Sequence, residues 1–282
     1  MPPSSQRAGK FLSDHGLDGF LLLGDSLCNL DLYYLSRFLA PDRFALLAAP
    51  SLSILVSGME EGRAKKESCA DEVVSTSDYG IGEKLAKFDR TEDAYVAVLK
   101  EFLRDRSVKR LGVFGDFPVR FYLDLAADFE ISVLDSPVRE MREVKTPPEI
   151  EAIKYSQRAC EDAMLVAIEM IRRSRPSGEF LVLEGEPLSS ERVRSAIEVA
   201  LLERGCEAED TIVAGGIDAA DPHCSGSGPL PADSPIVIDI FPRSKRTRYF
   251  ADMTRTVLRG DAEEEVVEIY GAVLAAQEAG IA

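Results

Sequence analysis

The sequence predicts an α/β domain followed by an α+β domain, and three features carry that expectation. Strand-like and helix-like stretches alternate through the first 137 residues. A helix-start signature, Thr146-Pro147-Pro148-Glu149, then opens a longer periodic segment. Beyond it, apolar, β-branched runs at 234–241 and 248–258 flank the polar stretch 242–247, as in a hairpin. The boundaries expected are 1–137 for the first domain, 138–145 for a linker and 146–282 for the second.

In the first domain, residues 1–16 read as a short helix carrying Phe11 and Leu12, and 19–24, GFLLLG, as a buried strand. Residues 29–38 are mostly apolar and fit either type. Residues 44–49 and 52–57 are strands on either side of the Pro50-Ser51 turn. A polar helix at 59–67 and a strand at 71–75 follow. Residues 92–104 place Ala94, Val96, Val98, Leu99 and Leu103 at amphipathic spacing. A strand at 110–115, a helix at 117–127 and a strand at 130–134 complete the alternation. No catalytic constellation is visible here. His15 reads as a structural histidine at a helix end. Gly80-Ile81-Gly82 lacks the strand before and the helix behind that a phosphate loop needs.

In the second domain Ile150, Ile153, Cys160, Ala163, Met164, Ala167, Ile168 and Ile171 recur at helical spacing, the stripe of a core-facing helix. Residues 180–184 are a short strand or an insert. Residues 190–204 form a second helix, capped by Ser190 and stopped by Gly205. A strand at 211–215 ends in Gly215-Gly216. After the hairpin, Asp261 opens a third helix with Val266, Ile269, Tyr270, Val273 and Leu274 on one face, and Gly280 is its candidate C-cap.

The formal net charge of −16 argues against a nucleic-acid partner. The basic stretch 243–248, RSKRTR, reads as a solvated hairpin tip. Five scattered cysteines without C-x-x-C spacing argue for reduced thiols in the cytoplasm. No apolar run approaches the roughly 18 residues of a membrane helix.

The chemistry concentrates in residues 221–260. Asp239 interrupts the apolar run of Ile236, Val237, Ile238 and Ile240. A carboxylate in such a strand demands a partner, hydrogen bonds or a metal. A hairpin can bring it beside Asp252, twelve residues intervening, and a divalent cation would relieve their repulsion. The alternative is an Asp239–Arg255 ion pair with Asp252 opening a turn. His223, one of two histidines, precedes the first run.

The order PH…GSGPL (222–230), PIVIDIFP (235–242) and YFADMTRTVLRG (249–260) resembles the pita-bread metallopeptidases: aminopeptidase P, prolidase and creatinase-like relatives. Arg142-Glu143-Val144-Lys145 with Glu149-Ile150 is similar to that family's entry into its catalytic domain. The resemblance implies an α/β creatinase-like amino-terminal domain, then an α+β pita-bread domain of which mainly the first half is present. It implies that Asp239 and Asp252 are ligands of a two-metal centre holding Mn, Co, Zn or Fe. It also implies that His223 binds substrate and stabilises the tetrahedral intermediate. The substrate would be a peptide with proline at its second position, attacked by a metal-bridging water, in a cytoplasmic homo-oligomer such as a dimer. The family's remaining ligands, a histidine and two glutamates, have no counterpart up to Ala282. The chain as given is therefore expected to hold metal weakly or not at all and to be inactive. Two alternatives stay open: a non-catalytic binding or scaffold member of the fold, and metal-free creatinase-like C–N hydrolysis.

Overall fold

The structure is a computed structural model and describes residues 3–282. The first two residues of the helix expected at 1–16 lie outside the described residues. The chain divides into two units, with the boundary between Lys145 and Thr146.

The first unit is built on a six-stranded mixed sheet. Helix α1 (Pro3–His15) leads into β1 (Gly19–Gly24), and α2 (Leu30–Ser36) into β2 (Phe44–Ala48) and β3 (Leu52–Val56). Then come α3 (Glu61–Glu67), β4 (Glu72–Ser75), α4 (Ile81–Leu85), α5 (Thr91–Asp105), β5 (Arg110–Phe114), α6 (Val119–Leu125), β6 (Glu130–Leu134) and α7 (Pro137–Glu143). The sheet order is β4-β3-β2-β1-β5-β6. β1 pairs antiparallel with β2 and parallel with β5.

The continuous apolar run of β1 follows from its central place. Phe20 and Leu22 join one buried cluster and Leu21 and Leu23 the other, so both faces are covered. The ambiguous stretch 29–38 is helical because the Asn29 side chain accepts from the backbone N–H of Asp31 and Leu32. His15 ends α1, bonded to the Phe11 carbonyl and stacked on its ring. Two expectations need correction. Residues 138–145, expected as a linker, fall within the first unit and mostly within α7, where Val138 and Met141 are buried. A helix does follow Gly80, which is at φ +62°, but α4 has only five residues.

The second unit begins with α8 (Pro147–Arg173). Both the backbone N–H and the hydroxyl of Thr146 donate to the Glu149 carboxylate at 2.7 Å, which fixes the start of the helix. The segment at 180–184 is the centre of a meander of β7 (Arg175–Ser177), β8 (Phe180–Leu183) and β9 (Glu186–Pro187). Helix α9 (Ser190–Glu203) is capped by Ser189, whose hydroxyl accepts from Arg192 N–H, and not by Ser190, which is buried. Gly205 stops it at φ +63°.

Two short strands, β10 (Cys206–Glu207) and β11 (Ile212–Gly215), precede a 3-10 turn at Gly216–Ala220. Then come β12 (Ile236–Ile240), β13 (Arg243–Ser244), β14 (Met253–Val257) and α10 (Glu264–Ile281), which continues through Gly280. β12 lies between β11 and β14, antiparallel to both. One face of this sheet packs Val213, Ile236, Ile238 and Ile240 against Met164 and Ile171 of α8 and Val193, Ile197 and Leu201 of α9. The basic stretch 243–248 is not a free tip. β13 pairs with β10, and the largely covered Arg243 and Arg248 both reach Glu207, at 2.8 and 3.5 Å.

Candidate metal-binding face of the second unit

Strand alternation decides which way Asp239 faces. Its neighbours Ile238 and Ile240 point into the core, so Asp239 points to the opposite face, where it is half-buried. The ladder sets Thr254 opposite Asp239, and the Thr254 hydroxyl donates to Asp239 Oδ1 at 2.6 Å. Asp252 is two residues before Thr254, exposed, on the extended segment that leads into β14. The period of two returns Asp252 to the face of Thr254 and Asp239. Helix α8 senses both acids. The buried Cys160 thiol is pushed up to about 12, first by burial and then by the Asp252 carboxylate, with Asp239 adding to it.

The ion-pair alternative does not survive. Arg255 pairs in the ladder with Ile238 and donates its guanidinium to the Thr254 carbonyl. Among the described residues, neither Asp239 nor Asp252 has a cationic side chain within ion-pair distance. A half-buried carboxylate with one hydroxyl donor and no counter-charge fits a cation ligand.

His223 lies in the turn after the 3-10 segment. It is exposed, and its backbone N–H donates to Asp221 Oδ1 at 3.0 Å. Among the described residues no group of three His, Cys, Asp or Glu side chains is placed to hold a metal, so His223 is not a third donor beside the aspartates. Two carboxylates on one sheet face are oxygen donors of the kind a divalent cation takes, and among the described residues no third donor joins them.

Thr254 is the site residue that the sequence reading passed over. The available signal was its place two residues after Asp252, which puts both on one strand face. Cys160 was read only as core, which its burial bears out, but its Sγ also donates to the Ile240 carbonyl at 3.3 Å.

The fold and this face define a class, the two-domain pita-bread proteins. Residues 5–144 match the Creatinase/Prolidase N-terminal domain, and residues 151–282 match metallopeptidase family M24. The chain thus carries a creatinase/prolidase-type amino-terminal domain followed by a metallopeptidase M24 domain. An Xaa-Pro dipeptidase of Pyrococcus horikoshii is 26% identical over 280 residues, covering 96% of this chain and 68% of that protein. An Xaa-Pro dipeptidase of Pyrococcus furiosus is 30% identical over 155 residues, covering 54% of this chain and 40% of that protein. Among solved structures, the prolidase from Pyrococcus horikoshii superposes with a TM-score of 0.72 at 23% identity, over 97% of this chain and 70% of that one. The X-Pro aminopeptidase from Thermotoga maritima gives a TM-score of 0.75 at 24% identity, over 96% and 70%. At these identities the structural likeness carries the fold. No helix among the described residues is long and apolar enough to cross a membrane.

Proposed function

We propose that this polypeptide carries part of the machinery for metal-dependent hydrolysis of a peptide bond preceding proline. Asp239 and Asp252 would hold divalent metal, Mn, Co, Zn or Fe, and His223 would stabilise the developing oxyanion. Bound metal in such a site supplies a deprotonated water and polarises the scissile carbonyl. The observation that carries the reading is the pair of acidic side chains on one sheet face without a cationic partner. The M24 domain match and the Xaa-Pro relatives support the substrate class, a peptide with proline at its second position. Five free cysteines support a reducing compartment, the cytoplasm.

Two carboxylates are too few to orient two metals, because a cation so held keeps most of its water. The 282-residue polypeptide by itself is therefore expected to leave Xaa-Pro peptides uncut. The lack of a three-donor cluster among the described residues equally supports a second reading, a non-catalytic binding member of the fold. The experiment is an assay on an Xaa-Pro dipeptide and tripeptide with added Mn, Co or Zn, beside Asp239→Ala. Turnover that requires Asp239 would overturn the inactive reading. Mn uptake that requires Asp239, without turnover, supports it.

A further inference from the structure

Three α8 side chains and one tyrosine tie the helix to both aspartate-bearing segments. Glu149 is buried, and its Oε1 accepts the Tyr249 hydroxyl at 2.6 Å while Oε2 takes the two Thr146 bonds. The Ser156 hydroxyl, also buried, donates to the Tyr249 carbonyl at 2.8 Å. Tyr249, three residues before Asp252, thus meets α8 at its ring end and at its carbonyl, which also accepts the Ser244 N–H at 3.0 Å. Farther along α8, Cys160 Sγ donates to the carbonyl of Ile240, the residue after Asp239. Ser156 and Cys160 lie about two and three helical turns after Glu149, so the three positions form a single stripe.

We propose that this stripe is a positioning bar for the acidic face, with Glu149, Tyr249 and Ser156 as positioning residues for Asp252. The proposal rests on the reading that Asp239 and Asp252 hold a cation. Its physical basis is the difference between the two acids. Asp239 sits inside a ladder that pairs it on both sides, with Ile212 and Thr254. Asp252 lies just outside β14, so no ladder pair fixes its backbone. The chain between β13 and β14 needs another anchor. Ala251 N–H donates to the Pro242 carbonyl at 2.9 Å, Ser244 N–H donates to the Tyr249 carbonyl at 3.0 Å, and Arg243 bridges to Phe250; α8 adds a constraint through the Tyr249 hydroxyl and carbonyl. A buried carboxylate that receives three donors is a stiff anchor, because each lost donor leaves an unsatisfied acceptor.

The test uses the 282-residue protein with Mn(II) as probe, read by electron paramagnetic resonance of the free ion. Amide hydrogen exchange and thermal unfolding are measured alongside. Tyr249→Phe removes one hydroxyl and keeps the ring. It is expected to weaken Mn(II) binding by about tenfold, as for other groups that orient metal ligands, and to speed exchange at Ala251 and Met253. Tyr155→Phe is the control: Tyr155 lies on α8, and its hydroxyl donates away from the acidic face, to the Arg204 carbonyl at 2.7 Å. That variant should lower the melting temperature and leave both local readouts unchanged. Unchanged affinity and exchange in Tyr249→Phe would overturn the positioning role, as would equal changes in Tyr155→Phe. If the parent takes up no Mn(II), or Asp252→Asn binds it as the parent does, the metal reading fails. Exchange at Ala251 and Met253 then decides the anchor by itself.

Discussion

Thr254 and Asp239 face each other across the β12–β14 ladder, joined by a 2.6 Å bond from the Thr254 hydroxyl to Oδ1. A hydroxyl in that place occupies one carboxylate oxygen and fixes the plane of the group. On the proposed reading, the other oxygen is the one that would meet a cation. The same bond makes the D-x-T spacing intelligible: the strand that delivers Asp252 delivers the orienting hydroxyl two residues later, on the same face.

Thr254→Val keeps the β-branched shape and removes only that donor. It should weaken Mn(II) binding to the 282-residue protein by about tenfold, and Thr254→Ser should restore most of it. Calorimetric or resonance titration decides the matter. Equal binding by the Val variant would show that Asp239 needs no orienting partner.

Gly226 is expected to be intolerant of any side chain. A Cβ there would fall 2.0 Å from the Val213 carbonyl oxygen and 2.8 Å from the Ala214 Cα, and φ is +77°. The loop that carries His223 lies against β11 at this point, with Val213 N–H donating to Ser225 O at 3.1 Å and Arg194 donating to Gly226 O at 2.9 Å. Gly226→Ala should cost about 2–4 kcal/mol through overpacking and backbone strain, read as a lower urea midpoint. Gly228→Ala has the same sign of φ, +70°, but no neighbour within 4 Å, and should cost less.

Thiol labelling separates the five cysteines. Cys28 and Cys69 are exposed and Cys224 is partly so, whereas Cys160 and Cys206 are buried. Burial and the Asp252 carboxylate raise the Cys160 thiol to about 12, so almost no thiolate exists near pH 8. Iodoacetamide should modify Cys160 only after unfolding. Native-state modification of Cys160, seen by mass spectrometry, would contradict its place beneath β12.

Asp18 gives the first unit a defined acid sensitivity. The Arg110 guanidinium, then backbone N–H groups of Arg110 and Lys109, hold its carboxyl down at about 2, from an ordinary value of 3.8. A folded-state value below the unfolded one means stability that is present above pH 3.8 and lost as pH falls through about 2. Arg110 is half exposed, so solvent screening discounts the contribution to about 1 kcal/mol. Asp18→Asn should therefore lower the unfolding free energy at pH 7, and its gap from the parent should shrink below pH 3.8. A gap independent of pH would assign the role of Asp18 to packing.

The elements that the sequence revealed are those whose pattern is local. The run in β1 and the capped stripe of α8 each announce themselves within a few residues. The spacing of Asp239 and Asp252 is local in the same sense, one on β12 and the other on the segment entering β14, whereas the part of Thr254 shows only once the ladder sets it opposite Asp239. What stayed hidden depends on distant partners. Nothing in RSKRTR foretells that Arg243 and Arg248 meet Glu207 across a two-residue ladder. Glu149 reads as a capping residue, and its bond to Tyr249, a hundred residues on, is visible only in the fold. Residues 138–145 looked like a linker because a seven-residue helix has too few positions to display a period.

Helix α10 supplies the last prediction. None of its residues is buried, and Val267, Ile269, Tyr270, Val273 and Leu274 are all exposed. Helices in proteins draw most of their stability from packing an apolar face, and α10 packs none of its own. Exposed apolar surface of that kind drives association. The 282-residue protein is therefore expected to self-associate, and Val273→Glu with Ile269→Lys should shift it toward monomer. The substituted positions make no core contact, so the unfolding of the rest of the second unit should be unchanged. Light scattering with size-exclusion chromatography reads the mass, and circular dichroism follows the helix, which should fray in the double variant as its partner surface is lost. A parent protein that stays monomeric at high concentration, with α10 fully helical, would refute the association and assign the helix's order to its own sequence.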